Sequence, residues 1–110
     1  VSGIPRPDTV ASFPLTRLAE LLPATLHGGD IAVTGVTHSS GAVRPGDLYA
    51  ALPGSNRHGA EFVAGAARAG AVAVLTDPDG REAALAAGLP VLVADDPRGV
   101  LGAAAAAIYG

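Results

Sequence analysis

Three short apolar runs, Leu48–Leu52, Ala71–Leu75 and Pro90–Val93, alternate with stretches that carry helical spacing, and this alternation constrains the fold more than any other feature. Each run has the length of a buried strand. Between the first two, Phe62, Val63, Ala66 and Ala67 share one helical face, Glu61 complements the dipole in the first turn, and Gly70 follows as a C-terminal cap. Asp77 and Pro78 open a second helix and Gly88 closes it. The repeated strand, loop, helix, strand order predicts βαβ units, with parallel pairing of the three strands. Asp96 and Pro97 then supply an N-cap and a first-turn proline for an Ala-rich helix running to about Tyr109. The expected architecture is a small three-layer α/β domain with a mixed, mostly parallel sheet flanked by helices.

Upstream of these units, residues 1–13 mix Pro5, Pro7, Ser2 and Gly3 without periodicity and read as a flexible N-terminal arm, leaving residues 14–110 as the folded domain. Leu15, Leu18, Ala19, Leu21 and Leu22 fit one face of a short helix that Pro23 ends. Ile31–Thr37 alternates as one strand would and runs into the polar cluster His38-Ser39-Ser40-Gly41. Arg44-Pro45-Gly46-Asp47 matches a type II turn, with Asp47 read as a cap of that turn rather than a ligand contact.

A chain of 110 residues with 49% hydrophobic content holds one modest core. Ala and Gly dominate it, so helices must lie close to the sheet. A net charge of −3 with seven scattered basic residues argues against a nucleic-acid groove, which relies on summed phosphate neutralisation. The absence of cysteine excludes disulfides, zinc thiolates and thiol catalysis. No apolar run approaches the roughly 20 residues of a membrane span, and no secretory leader is visible, so a soluble cytoplasmic protein without membrane insertion is expected.

Ligands of open α/β sheets bind beyond the carboxyl ends of the strands, where loop amides and helix N-termini point outward. Gly54–Gly59 occupies such a place after Leu48–Leu52 and carries Ser55, Asn56, Arg57 and His58 without a carboxylate. That chemistry suits a phosphate or a polar nucleotide. Any turn entering a helix is also polar and glycine-bearing, so a purely structural reading stays open at this point. Gly54 and Gly59 have P-loop spacing, but Ala60 and Glu61 stand where lysine and a hydroxyl are required, which argues against ATP in this loop. His27, His38 and His58 lack metal-ligand spacing, no carboxylate pair is placed for acid and base work, and neither loop serine sits in a nucleophile elbow. No catalytic or metal-binding residue is assigned, and the chain reads as a binder.

The run Val36-Thr37-His38-Ser39-Ser40-Gly41-Ala42-Val43-Arg44-Pro45-Gly46-Asp47-Leu48-Tyr49-Ala50-Ala51-Leu52-Pro53-Gly54, followed by His58-Gly59, Phe62-Val63 and Gly70-Ala71-Val72-Ala73-Val74-Leu75, resembles the N-terminal signature of the Mur ligase family of peptidoglycan synthesis. The closing Leu101-Gly102-Ala103 and Ala107-Ile108-Tyr109-Gly110 look like the branch that adds the third peptide residue. The resemblance implies a domain that holds the UDP moiety of UDP-MurNAc-L-Ala-D-Glu for an ATP-dependent amide ligase. By position it places Ser40 and His38 at the uridine side and Ser55, Asn56 and Arg57 against the UDP. It implies no cofactor in this chain, with ATP and Mg2+ held by a central domain absent here, and the remaining ligase domains as partners in cis. Ser39 and Gly41 replace the aspartate and arginine that flank the family serine, and His58, where aspartate is common, makes the second loop more basic. The alternatives are the branch that adds the D-Ala-D-Ala dipeptide and a non-catalytic nucleotide-binding α/β module.

Overall fold

The computed structural model describes residues 12–54 and 58–109. Its centre is a five-stranded sheet in the order β2-β7-β6-β5-β4, formed by β2 (Thr25–His27), β4 (Gly35–Thr37), β5 (Asp47–Ala51), β6 (Ala73–Thr76) and β7 (Val91–Val93). β4, β5, β6 and β7 are parallel, while β2 pairs antiparallel with β7 through Leu26 and Leu92. The three expected parallel neighbours are therefore present, joined by two further strands at the edges. β2 escapes sequence reading because its three residues are too few to show alternation.

The alternation over Ile31–Thr37 is not one strand. β1 (Phe13–Pro14) pairs antiparallel with β3 (Ala32–Val33) as a separate ribbon, and only β4 joins the main sheet. The break falls at Thr34, whose N–H donates to the Gly46 carbonyl at 3.0 Å instead of entering a ladder. A period of two reports which face a residue takes, not which partner its backbone meets. Phe13, assigned to the arm by sequence, is thus paired with Val33.

Two helices cover each face. α1 (Leu15–Leu21) and α4 (Pro97–Tyr109) pack on the face that carries Val36, Leu48, Ala50, Leu75 and Leu92, burying Leu15, Leu18, Val100, Ala104 and Ile108. α2 (Val63–Ala69) and α3 (Arg81–Ala86) cover the opposite face of Tyr49, Ala51, Val74 and Val91 with Val63, Ala66 and Ala84. Along β5 the residues Leu48 and Ala50 enter one layer and Tyr49 and Ala51 the other, as the pleat requires. Each fully buried leucine or valine contributes about 1.5–3 kcal/mol relative to exposure, and small Ala side chains on α2 and α4 let the helices approach closely.

The punctuation read from sequence is in place. Gly70 ends α2 at φ +117°, its N–H reaching the Ala66 and Ala67 carbonyls. The helix expected to have Glu61 in its first turn opens as a 3-10 turn, Gly59–Phe62, before α2 begins. Asp77 caps the turn before α3 by accepting from Gly80 N–H at 3.0 Å, and Asp96 accepts from Gly99 N–H at 3.1 Å at the start of α4. Gly46 has φ +90° and Asp47 N–H donates to the Arg44 carbonyl at 3.1 Å, the type II turn. The buried Asp47 carboxylate accepts from Arg44 N–H at 2.8 Å, at the amino end of β5. It stays with the turn, at the end of the sheet remote from the loops described below.

Candidate functional site

β4 and β5 are parallel neighbours, so the loops that follow them leave the same end of the sheet and diverge. A cleft of about 430 Å³ lies there, lined by His38, Ser39 and Ser40 on one side, Leu52, Pro53, Gly54 and Gly59 on the other, Tyr49 and Phe62, and Arg98. No Asp or Glu is among these residues, so the local chemistry favours a polar or anionic ligand despite the negative whole.

The first wall is shaped locally. Thr37 is buried, and its Oγ1 accepts from Ser39 N–H at 3.2 Å, a hydroxyl-to-backbone turn that swings the chain off the strand. Ser40–Ala42 then forms a 3-10 turn with Ala42 N–H on the Ser39 carbonyl at 3.0 Å. His38 is exposed and Ser40 half-buried, so both predicted residues of this loop reach the cleft, with Ser39 between them.

The second wall is built from long-range contacts. Pro53 and His58 form an antiparallel bridge, which closes the loop on itself. Gly59 N–H donates to the Leu52 carbonyl at 2.7 Å, and the Tyr49 hydroxyl donates to the Gly59 carbonyl at 3.0 Å. A Cβ at Gly59 would lie 2.7 Å from Leu52 N and 2.9 Å from Ala51 C, so glycine is required by backbone packed on backbone. Burial raises the Tyr49 pKa, holding its phenol as a neutral donor. The predicted contacts Ser55, Asn56 and Arg57 lie outside the described residues.

His58 does not line the cleft. Its Nδ1 accepts from Ala60 N–H at 2.9 Å, which requires a lone pair there, so Nε2 carries the proton and donates to Asp77 Oδ1 at 2.7 Å. The same oxygen caps the turn before α3. The imidazole ties the loop to α3 instead of lining the cleft.

Sequence reading missed Arg98. It stands in the first turn of α4, its Nη2 donates to the Pro53 carbonyl at 3.0 Å, and its side chain lines the cleft. It is 45 residues from Pro53 and farther from the first loop, but one signal was present. The Asp96-Pro97 helix start follows a parallel strand, and so must open at the same end of the sheet as the loops. Phe62, 38% exposed, adds an apolar ring to the rim. Among the described residues no three His, Asp or Glu side chains converge as a metal-binding group, and no helix is long and apolar enough to cross a membrane.

Residues 32–109 match the family model described as the Mur ligase family, catalytic domain. The chain is 61% identical over 108 residues to a UDP-N-acetylmuramoyl-L-alanyl-D-glutamate–2,6-diaminopimelate ligase of Streptomyces avermitilis, covering 98% of this chain and 21% of that protein. It is 51% identical over 106 residues to a UDP-N-acetylmuramyl-tripeptide synthetase of Leifsonia xyli, covering 94% of this chain and 21% of the relative. The chain thus spans about a fifth of the length of the curated relatives it matches. Its fold superposes on MurF from Acinetobacter baumannii with a TM-score of 0.68 at 20% identity, covering 86% of this chain and 20% of that one. The mostly parallel sheet, the loop signature and the extent of these matches lead to one conclusion: the chain belongs to the Mur ligase family.

Proposed function

We infer that the cleft holds the uridine-diphosphate end of UDP-MurNAc-L-Ala-D-Glu, and that the chain is the substrate-gripping domain of a cytoplasmic, ATP-dependent ligase that adds the third residue of the peptidoglycan peptide. The observation that carries this reading is the convergence of His38, Ser40 and Arg98 on a carboxylate-free cleft at the carboxyl ends of two parallel strands. Relatives that span nearly all of this chain carry names built on the same UDP-N-acetylmuramoyl substrate.

Ser40 and the amides of its loop supply hydrogen bonds to uracil or diphosphate, the exposed His38 flanks the uridine, and the Arg98 guanidinium supplies charge. The family resemblance assigns Ser55, Asn56 and Arg57 to contact with the UDP. ATP does not fit this loop: the lysine and hydroxyl of a phosphate loop are absent, and Gly59 is committed to the end of β5. ATP and Mg2+ therefore belong to the ligase domains that accompany this one in cis. Energy from the remote UDP handle would go into holding the reacting carboxyl in register with them.

The test is steady-state kinetics of Ser40→Ala and Arg57→Ala in the full-length protein. Each should raise KM for the UDP-linked dipeptide by about tenfold, the worth of one charge-assisted or buried hydrogen bond, with KM for ATP unchanged. Unaltered KM for the UDP substrate in both variants would sink the reading. Binding of UDP without any ligase activity would favour the non-catalytic module instead.

A further inference from the structure

β4 is the outer strand of the sheet, with β5 as its neighbour on one side. An edge strand presents backbone donors and acceptors to whatever lies beside it. At Val36, which is buried, both groups are taken by one atom of α4. The Tyr109 hydroxyl accepts from Val36 N–H at 2.9 Å and donates to the Val36 carbonyl at 3.2 Å. A phenol has one proton and lone pairs to spare, so a single Oη can close both ends of this residue, and no aliphatic or phenylalanine side chain can.

The clip sits directly upstream of the cleft. Val36 precedes Thr37, whose hydroxyl starts the turn to Ser39, and the next residues are His38 and Ser40 of the first wall. The opposite end of the same helix bears Arg98, which holds the Pro53 carbonyl of the second wall. α4 has 13 residues and spans roughly 20 Å, so one rigid element is bonded to both walls. The first wall also has its own short-range hydroxyl and backbone bonds, the β4–β5 ladder beneath it and the packing of its 3-10 turn on α2, and the Tyr109 clip adds a restraint on the open side of β4.

We propose that Tyr109 is a positioning residue for the ligand cleft: through Val36 it fixes the first wall against the second, using α4 as the spacer. This rests on the UDP-binding reading given above, and Tyr109 is not among the residues that line the cleft. Tyr109→Phe keeps the ring and its packing while removing the one atom that matters. Its backbone consequence is the loss of partners for a buried N–H and C=O, which should be felt one to four residues downstream.

The experiment compares the intact chain, Tyr109→Phe and Ile108→Val. The last removes a methyl from the buried face of the same helix turn and serves as a control for simple destabilisation. UDP is titrated by calorimetry, and amide exchange of a peptide spanning residues 33–42 is followed by mass spectrometry without ligand. The proposal expects Tyr109→Phe to weaken UDP binding about fivefold and to speed exchange of that peptide about tenfold, with Ile108→Val leaving both at the unsubstituted values. Equal UDP affinity in Tyr109→Phe and the unsubstituted chain would overturn it, as would an equal loss in Ile108→Val. If the unsubstituted chain fails to bind UDP, the functional reading falls by itself. The exchange arm then decides alone: faster exchange confined to Tyr109→Phe supports the positioning role, and unchanged exchange overturns it.

Discussion

The two walls of the cleft leave adjacent parallel strands, yet they are held by different means. The second wall is tied to its surroundings by Gly59 seated on the end of β5, by the Tyr49 hydroxyl, by His58 on Asp77 and by Arg98 on Pro53. The first wall is shaped by Thr37 and Ser39 within their own turn, with Tyr109 clipping the strand that leads to it. The contrast follows from position in the sheet. β5 is flanked on both sides, so its loop is surrounded by elements that supply partners, whereas β4 lies at the edge. Ser39 and Gly41, the departures from the family pattern, both fall in the edge loop.

Substitutions can break this contrast, and the largest effect is expected at Gly59. Gly59→Ala forces a methyl against the backbone of Ala51 and Leu52 and should cost about 3 kcal/mol in denaturant unfolding. A cost near zero would mean that the second wall is not seated as described. His58→Ala removes two bonds at once and should cost about 2 kcal/mol. In a double-mutant cycle with Asp77→Ala, a coupling of about 1 kcal/mol is expected, and strict additivity would show that the pair does no mutual work.

Tyr49 sharpens the same comparison through pH. Its pKa is raised from 10.0 in the folded chain by burial, so the folded state keeps the proton longer than the unfolded chain does. The associated stability is complete below the unfolded value and declines as pH rises from there through the folded value. The sequence has no lysine, so no lysine titration overlaps that of Tyr49. Denaturation midpoints taken from about pH 8 to 11 should fall at the alkaline end, and Tyr49→Phe should flatten the fall. In the first wall the effect is smallest: Thr37→Val removes the bond to Ser39 N–H and should cost under about 1 kcal/mol. A loss as large as that of His58→Ala would erase the distinction between the walls.

Much of this fold was legible because its signals are local. Apolar runs marked β5, β6 and β7, Gly70 and Asp96 marked helix ends, and Arg44-Pro45-Gly46-Asp47 marked its turn, since each depends on the conformational preferences of a few adjacent residues. At the site, the family resemblance rather than local pattern singled out His38 and Ser40, and both line the cleft after β4. The bond of His58 to Asp77 was not legible, because the two are nineteen residues apart.

By itself the sequence determined the order of elements, the parallel pairing of the central strands, and the end of the sheet at which a polar cleft could form. The tertiary structure alone decided that the chain breaks at Thr34, that β2 closes one edge antiparallel, that Arg98 enters the cleft, and that Tyr109 secures Val36 on the other edge. The physical reason is range. Propensity and turn chemistry act over a few residues, whereas the residues that meet across a sheet are chosen by burying both of its faces and satisfying its edges at the same time.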